Sequence, residues 1–253
     1  MNKISYTKKG HGKVIVLIHG WGMHKGIWAE LEKQLVLNHC VYAIDLPGHG
    51  ESSKVASDRF TLNDIAQQVA SIIPANSTLI GWSMGAMVAI KIAVNFPQLV
   101  DRLISIAGTP KFTQCHDWEC AMPVNVMKLF IYSLEKNVKD TLDRFIGIQV
   151  KASDTNRLLL KQLREISFQC AYPSKDVLDA GLIILQTDDL RKQLESMSCP
   201  SLWILGEYDT LVPVRISNYL SKLKNARIEI IKKAVHVPFI SHTDEVVNMI
   251  NQT

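Results

Sequence analysis

Apolar residues follow two alternating patterns along this chain. Short runs rich in Val, Ile and Leu, typical of strands buried on both faces of a parallel sheet, occur at Val14–Ile18, Cys40–Ile44, Ser77–Ile80, Arg102–Ala107, Ser201–Leu205 and Arg227–Ile231. Between them, helices are expected over His24–Leu37, from Leu62 behind a Thr61 cap, after Ser83 to about Asn95, over Arg215–Leu223 and near Glu245–Ile250. Strands that alternate with helices predict a doubly wound, mostly parallel α/β sheet.

The pattern changes between residues 111 and 184, where no buried-strand run occurs. Helical spacing of apolar residues there predicts helices over Val124–Leu134, Val138–Ile148 and Thr155–Cys170. Such a segment is too long for a simple loop. We therefore expect an α/β core of residues 1–110 and 185–253, and a helical lid of residues 111–184 over the carboxyl edge of the sheet.

A Gly-x-Ser-x-Gly motif, Gly81-Trp82-Ser83-Met84-Gly85, stands between a predicted strand and a predicted helix. This is the context of a nucleophile elbow, in which a serine occupies a sharp turn and flanking glycines let strand and helix approach closely. The following helix directs the positive end of its dipole at Ser83, which favours negative charge developing there. The motif predicts Ser83 as a catalytic nucleophile.

Two further candidates follow late strands, so that the order along the chain is Ser83, Asp209, His236. A serine hydroxyl needs a base, which His236 can supply, and Asp209 would fix the tautomer of that histidine. Asp209 could instead cap a helix, His236 could be an ordinary loop histidine, and Glu207 is the alternative acid. The joint placement of all three groups at strand ends favours a catalytic triad.

The turn His19-Gly20-Trp21-Gly22 follows the first predicted strand. Backbone N–H groups of Trp21 and Met84 are the expected oxyanion hole. We expect His19 to orient this loop by hydrogen bonding, because His236 fits acid–base work better. Asp45 and His49, in a Pro/Gly turn cluster, are expected to fix the turn geometry.

Composition excludes several classes of protein. Of 253 residues, 47% are hydrophobic and 21% charged, as in an ordinary folded domain, and the net charge of +4 does not indicate nucleic-acid binding. The five cysteines are odd in number and form no Cys-x-x-Cys pair, which favours a reducing compartment. No signal peptide, membrane span, metal-ligand spacing or nucleotide-binding motif is evident, so we expect a cytoplasmic enzyme without metal or cofactor.

The triad motifs, together with Asp45-Leu46-Pro47-Gly48-His49-Gly50 and Ala234-Val235-His236-Val237-Pro238-Phe239, are similar to those of α/β-hydrolases. More closely, the chain resembles the pimeloyl-(acyl-carrier protein) methyl ester carboxylesterases of biotin synthesis. The likeness covers nearly the whole chain and includes the lid segments Asp143-Arg144-Phe145 and Gly181–Arg191. The resemblance implies a carboxylic ester hydrolase that releases methanol from pimeloyl-carrier methyl ester.

The resemblance also implies an acyl-carrier protein as partner and an acyl pocket. Its substrate-binding residues would be Trp21, Trp82, Phe145 and Gln149, although Phe145 could equally belong to the lid core. Between residues 128 and 164 the chain has eight Lys or Arg and four Asp or Glu. A basic surface could steer an acidic carrier, and the expected docking residues are Lys139, Arg144, Arg157, Lys161 and Arg164.

Several alternatives remain open on the sequence alone. The basic residues could simply form a solvated helix face. Asp140 stands where the family has its first lid arginine, so the docking surface could be arranged differently. A general short-chain esterase or a carbon–carbon bond hydrolase or lyase would share the same triad, and a non-catalytic ligand-binding protein could share the fold. A monomer is the expected state.

Overall fold

The computed structural model describes residues 3–53, 60–151 and 156–252. Over these ranges it contains a seven-stranded sheet in the order β1-β3-β2-β4-β5-β6-β7. The strands are β1 (Tyr6–Lys9), β2 (Lys13–Ile18), β3 (His39–Ile44), β4 (Ser77–Trp82), β5 (Val100–Ile106), β6 (Ser201–Gly206) and β7 (Ala226–Ile231). All neighbours are parallel except β1 and β3, so the predicted mostly parallel sheet is confirmed.

All six predicted strands are present within one or two residues of their predicted bounds. Strand β1 was not predicted. It pairs antiparallel with β3, with Tyr6 opposite Ile44. Its sequence is mostly polar and largely exposed, so it lacks the apolar run by which a buried strand is recognised.

The helices are α1 (Ala29–Leu35), α2 (Leu62–Ala70), α3 (Met84–Asn95), α4 (Val124–Lys136), α5 (Val138–Gln149), α6 (Asn156–Ser167), α7 (Lys175–Thr187), α8 (Arg191–Glu195), α9 (Ser217–Leu220), α10 (Pro238–Ser241) and α11 (Thr243–Asn251). Three short 3-10 helices accompany them, at Lys25–Trp28, Pro97–Leu99 and Val214–Ile216. Two predicted helices are therefore each divided into a 3-10 turn and an α-helix. Before α1 the division follows from His24, whose Nδ1 accepts the Gly26 N–H and begins the 3-10 turn.

Helices cover both faces of the sheet, as a doubly wound fold requires. Alternate residues of β2 show this directly, because Val16 and Ile18 pack in one apolar cluster and Ile15 and Leu17 in another. The first cluster contains the apolar faces of α2 and α3, and the second contains those of α1 and α11. Strands buried on both faces explain why their sequences are continuous apolar runs.

The predicted helical insertion contains α4, α5, α6 and most of α7. The three predicted helices are confirmed, although the predicted start of the third, Thr155, lies outside the described residues. Helix α7 continues three residues past the predicted end of the insertion at residue 184. None of the helices in the described ranges is long and apolar enough to cross a membrane.

The insertion lies against loops that follow the carboxyl ends of three strands. The Trp21 indole N–H, after β2, donates to the Leu178 carbonyl of α7 at 2.9 Å. The backbone of Gly48, after β3, lies against Val177, and the His236 N–H, after β7, donates to the Gln149 carbonyl of α5 at 3.2 Å. These contacts place the insertion over the carboxyl edge, where ligand sites of open α/β sheets lie.

Candidate active site

Ser83 connects β4 to α3 in a strained conformation. Its φ of 56° and ψ of −121° lie in a region that residues with a side chain rarely adopt. The turn is possible because Gly81 lies against the Gly85 carbonyl and Gly85 lies against the Ile18 carbonyl, at distances that leave no room for a Cβ atom. The two glycines of the motif are thus required by close backbone approach, as the sequence predicted.

Ser83, His236 and Asp209 form one hydrogen-bonded chain. The Nδ1 of His236 lies 2.8 Å from Asp209 Oδ2, and the Nε2 of His236 lies 3.0 Å from Ser83 Oγ. A carboxylate only accepts hydrogen bonds, so the proton is on Nδ1 and Nε2 is left to accept from the serine hydroxyl. All three residues are buried. The arrangement can therefore deprotonate the serine, which is the first requirement of nucleophilic catalysis.

The structure distinguishes the two candidate acids. Oδ1 of Asp209 accepts the N–H groups of Leu211 and Val212 at 2.8 and 2.9 Å, which turns Oδ2 toward His236. Glu207 is exposed, and its carboxylate accepts the Lys233 N–H at 2.8 Å. Asp209 is thus the carboxylate that contacts His236.

The two expected oxyanion donors lie on segments that meet at Ser83. Met84 is the first residue of α3, where a backbone N–H has no acceptor within its own helix. On the other side, Gly20 lies so close to Ser83 that a Cβ added to Gly20 would be 3.2 Å from the Ser83 Cβ. The loop that carries the Trp21 N–H therefore passes directly beside Ser83.

His19 holds this loop, as expected from the sequence. Its Nδ1 donates to the Gly20 carbonyl at 2.8 Å, and its Nε2 accepts the Leu46 N–H at 3.0 Å. Burial, with a further contribution from His49, lowers the pKa of His19 to about 3, so the ring is neutral at pH 7. A neutral ring has one donor and one acceptor, and both are used in joining two loops.

Asp45 and His49 also contact the backbone of their own turn. Asp45 accepts the N–H groups of Lys25 and Glu51 and pairs with the Lys25 ammonium at 2.6 Å. His49 donates from Nδ1 to the Pro47 carbonyl, and burial lowers its pKa to about 4. Both contacts fit the expected role in turn geometry.

The four residues predicted to bind substrate fall into two groups. The Trp21 and Phe145 rings meet edge to face at 4.9 Å beneath α7, and both belong to the same apolar cluster. Gln149 is 1% exposed, and neither its side-chain oxygen nor its nitrogen has a partner among the described residues. Trp82 packs in the opposite cluster, where its ring contacts His236 and Phe239.

Gln149 is chemically the most informative of these residues. A buried amide without hydrogen bonds is costly, and such a group is explained by a bound water or a ligand that pairs with it. Its backbone carbonyl accepts the His236 N–H, so Gln149 adjoins His236. The amide can therefore serve a polar group of a substrate bound beside His236.

The five predicted docking residues lie on α5 and α6. Arg157, Lys161 and Arg164 follow one face of α6, while Lys139 and Arg144 are exposed on α5. Arg164 pairs with Asp143 at 3.3 Å and Lys161 with Glu165 at 3.8 Å. Lys139, Arg144 and Arg157 form no ion pair with any residue in the described ranges. Asp140 is explained locally, because it forms a capping pair with Asn137 at the start of α5.

Sequence reasoning missed the contacts that use backbone atoms. Nothing in the sequence indicated that the Leu178 carbonyl binds Trp21 or that the Gln149 carbonyl binds His236. One signal was present in Gly181, whose lack of a side chain lets α7 lie directly on the Trp21 ring. Among the described residues, no group of three or more His, Cys, Asp or Glu side chains is arranged to hold a metal ion.

The sheet order, the strained serine turn and the order of the three polar residues are together those of an α/β-hydrolase. Consistent with this, residues 13–243 match the sequence profile of the α/β hydrolase fold family. An esterase from Exiguobacterium antarcticum has the same fold, with a TM-score of 0.90 over 99% of this chain and 95% of that protein, at 21% identity.

Relatives of higher sequence identity show which family within this superfamily the chain belongs to. A pimeloyl-(acyl-carrier protein) methyl ester esterase from Pseudoalteromonas atlantica is 39% identical over 93% of this chain and 92% of its own length. One of the same name from Nitrosomonas europaea is 34% identical over 98% of both chains. The chain therefore belongs to the α/β-hydrolase superfamily and, within it, to the family of these esterases. It is a carboxylic ester hydrolase.

Proposed function

We propose that this protein hydrolyses the methyl ester of pimeloyl-acyl-carrier protein in biotin synthesis, releasing methanol and free pimeloyl-carrier. The observation that carries the proposal is the buried Ser83–His236–Asp209 chain, with distances of 3.0 and 2.8 Å. The substrate is taken from the names of the relatives, which cover more than nine-tenths of the chain.

The proposed reaction proceeds in two halves. Ser83 Oγ attacks the ester carbonyl while His236 Nε2 takes its proton, and the proton is then given to the departing methoxide, which leaves as methanol. Water, deprotonated by His236, then attacks the acyl-serine, and His236 returns this proton to Ser83 Oγ as the bond between Oγ and the acyl carbon breaks and the carboxylate is released. Asp209 stabilises the imidazolium that forms in both halves.

Four further residues assist in the proposed reaction. The N–H groups of Trp21 and Met84 stabilise the tetrahedral oxyanion, where a single donor contributes about 3 kcal/mol to lowering the barrier. Trp21 and Phe145 form an apolar wall for the acyl chain, and the unpartnered Gln149 amide binds a polar group of the substrate.

The insertion acts as the lid and the docking surface in this proposal, with residues 1–110 and 185–253 as the core. The partner is an acyl-carrier protein whose acidic surface meets Lys139, Arg144, Arg157, Lys161 and Arg164. Support comes from the position of α5 and α6, because α5 contacts His236 on one side and exposes Arg144 on the other. We further propose that the enzyme acts as a cytoplasmic monomer.

The test is Ser83→Ala. This variant should keep the fold, because Ser83 occupies only a turn and alanine retains the Cβ, but should lose methanol release from the carrier-borne methyl ester. Activity should fall by about 10⁶-fold, the loss typical of removing a triad nucleophile. Circular dichroism serves as the folding control. Turnover by folded Ser83→Ala at the wild-type rate would overturn the nucleophile assignment.

A further inference from the structure

The proposed base and the proposed nucleophile lie on distant strands. His236 follows β7, while Ser83 follows β4, and β5 and β6 lie between these strands in the sheet. The ladder hydrogen bonds therefore connect the two residues only through two intervening strands. A side chain that crosses this distance directly would fix the spacing of 3.0 Å between Ser83 Oγ and His236 Nε2.

The structure contains such a side chain in Trp82. Its indole N–H donates to the backbone carbonyl of His236 at 2.8 Å, and its ring lies 5.6 Å from the imidazole, centroid to centroid. Trp82 is the last residue of β4 and the immediate neighbour of Ser83. One short backbone segment therefore sets the position of the nucleophile and, through the indole, the position of the base.

Trp82 is itself held rigidly. It is 1% exposed, and its ring meets Phe239 edge to face at 5.3 Å. It belongs to the apolar cluster on the side of the sheet opposite the cluster of Trp21 and Phe145. These surroundings favour a role for Trp82 in holding His236 in place over a role in lining the acyl pocket.

We propose that Trp82 is a positioning residue, whose indole N–H holds the His236 backbone so that Nε2 stays within hydrogen-bond reach of Ser83. The inference rests on the proposed role of His236 as base. The other backbone contact of His236, to the Gln149 carbonyl, comes from the lid and remains when Trp82 is changed.

Trp28 provides a matched control within the same cluster. It is fully buried and packs against the same residue, Phe239, at 4.5 Å between ring centroids. Its Nε1 has no hydrogen-bond partner among the described residues. Replacing Trp28 by Phe therefore removes a similar ring volume and no hydrogen bond.

The experiment compares Trp82→Phe and Trp28→Phe, measuring kcat and KM on a small methyl ester together with the melting temperature. Trp82→Phe should lower kcat between about tenfold and a hundredfold, the cost of a slightly misplaced catalytic group, with KM little changed. Trp28→Phe should also lower the melting temperature through the lost ring volume, though by less because no hydrogen bond is removed, and it should keep the wild-type kcat.

A second variant isolates the hydrogen bond. Replacing Trp82 with benzothienylalanine keeps the bicyclic ring and exchanges only the N–H for sulfur. This variant therefore tests the role of the indole N–H even if Trp82→Phe does not fold. It should lower kcat as well. Wild-type kcat in this variant, a rise in KM alone, or an equal loss of kcat in Trp28→Phe would each overturn the inference.

Two catalytic variants distinguish failure of this inference from failure of the proposed function. If folded Ser83→Ala and His236→Ala keep wild-type turnover, the triad assignment is wrong and the positioning role falls with it. If both are inactive while the benzothienylalanine variant is fully active, the triad stands and only the role of Trp82 is overturned.

Discussion

Two residues of this site, Asp209 and His19, have contacts that leave each polar side-chain atom one role. Asp209 shows this most clearly, because two backbone N–H groups occupy Oδ1 and only Oδ2 faces His236. His19 similarly uses one ring nitrogen as donor and the other as acceptor. Such complete pairing fixes tautomers and orientations before substrate binds, which is the preorganisation that catalysis needs.

Asp209→Asn follows directly from this pairing. The Leu211 and Val212 N–H groups will keep the amide oxygen where Oδ1 now lies, so the amide NH₂ will face His236. His236 must then accept at Nδ1 and carry its proton on Nε2, the wrong tautomer for a base. We expect kcat to fall by about 10⁴-fold, as it does when this tautomer is imposed on such triads.

Glu207→Gln is the control for that measurement. Its carboxylate contacts the Lys233 N–H on the protein surface, so steady-state kinetics should give nearly wild-type values. A severe loss in Glu207→Gln together with an active Asp209→Asn would show that the acid has been misassigned.

Acid sensitivity is a second residue-scale prediction. His19 and His49 have pKa values of about 3 and 4 in the folded protein, below the ordinary 6.5, so the unfolded chain binds protons first. Stability should therefore be unaffected above about pH 6.5 and fall as the pH drops towards about 4, by up to about 1.4 kcal/mol per pH unit for each histidine. Urea unfolding at several pH values measures this.

His49→Asn tests whether His49 contributes to the acid sensitivity, because asparagine can keep a donor near the position of Nδ1 but cannot titrate. Its free energy of unfolding should decline less steeply with acid than that of the wild type. His116→Asn is the control, since His116 is exposed and should leave the wild-type slope unchanged. Identical slopes in all three proteins would contradict the prediction.

At the scale of single residues, prediction from sequence succeeded where the residue types of a motif determine the local backbone conformation. The Gly-x-Ser-x-Gly spacing sufficed to predict the strained turn at Ser83, because only that turn needs glycine on both sides. It could not predict that Gln149 would be buried with an unpartnered amide, or that the Trp82 indole would reach His236. Those contacts depend on how separate elements meet, which no local pattern records.

At the scale of elements, the helices of the insertion are the part of the fold most closely tied to the proposed carrier protein. His24 donates to the Ile166 carbonyl and so holds the end of α6 against the core. The exposed face of α6 presents Arg157 and Lys161, of which Lys161 makes only a long, exposed pair with Glu165. Such pairs contribute little to stability, so this face can be changed without unfolding the chain.

We therefore predict the effect of Arg157→Glu combined with Lys161→Glu. The kcat/KM for the carrier-borne ester should fall by about tenfold or more, because reversed charge removes electrostatic steering, while turnover of a small methyl ester stays unchanged. Lys222→Glu with Lys224→Glu, on the exposed segment between α9 and β7, is the matched control. Equal losses of kcat/KM on both substrates, or in both double variants, would show that the exposed face of α6 is an ordinary solvated face and not a docking surface.

The strands and helices also show which sequence patterns were sufficient to predict secondary structure. Continuous apolar runs identified every strand that is covered on both faces, and they missed β1, whose exposed sequence has no such run. The start of the helix predicted over His24–Leu37 agrees with the structure, but its first turn is a 3-10 helix capped by His24, which the apolar pattern does not indicate. The predicted end of the insertion at residue 184 falls inside α7, because the sequence of a buried apolar helix does not indicate whether the helix belongs to the core or to the insertion.

In the whole molecule, the sheet brings Ser83, Asp209 and His236 to one edge, and the helical insertion lies over that edge. Contacts of the insertion with the site include Leu178 with Trp21, Gly181 and Phe145 with the Trp21 ring, Val177 with Gly48 and Gln149 with His236. A partner that binds α5 therefore binds a helix that already contacts His236 through the Gln149 carbonyl.

The most direct test measures kcat/KM for pimeloyl-carrier methyl ester and for the same acyl methyl ester on free pantetheine, at low and high salt. We predict methanol release with the carrier thioester intact, and a strong preference for the carrier substrate that salt weakens, because salt screens exposed charges. Equal kcat/KM for both substrates at either salt, or cleavage of the thioester instead of the methyl ester, would contradict the account.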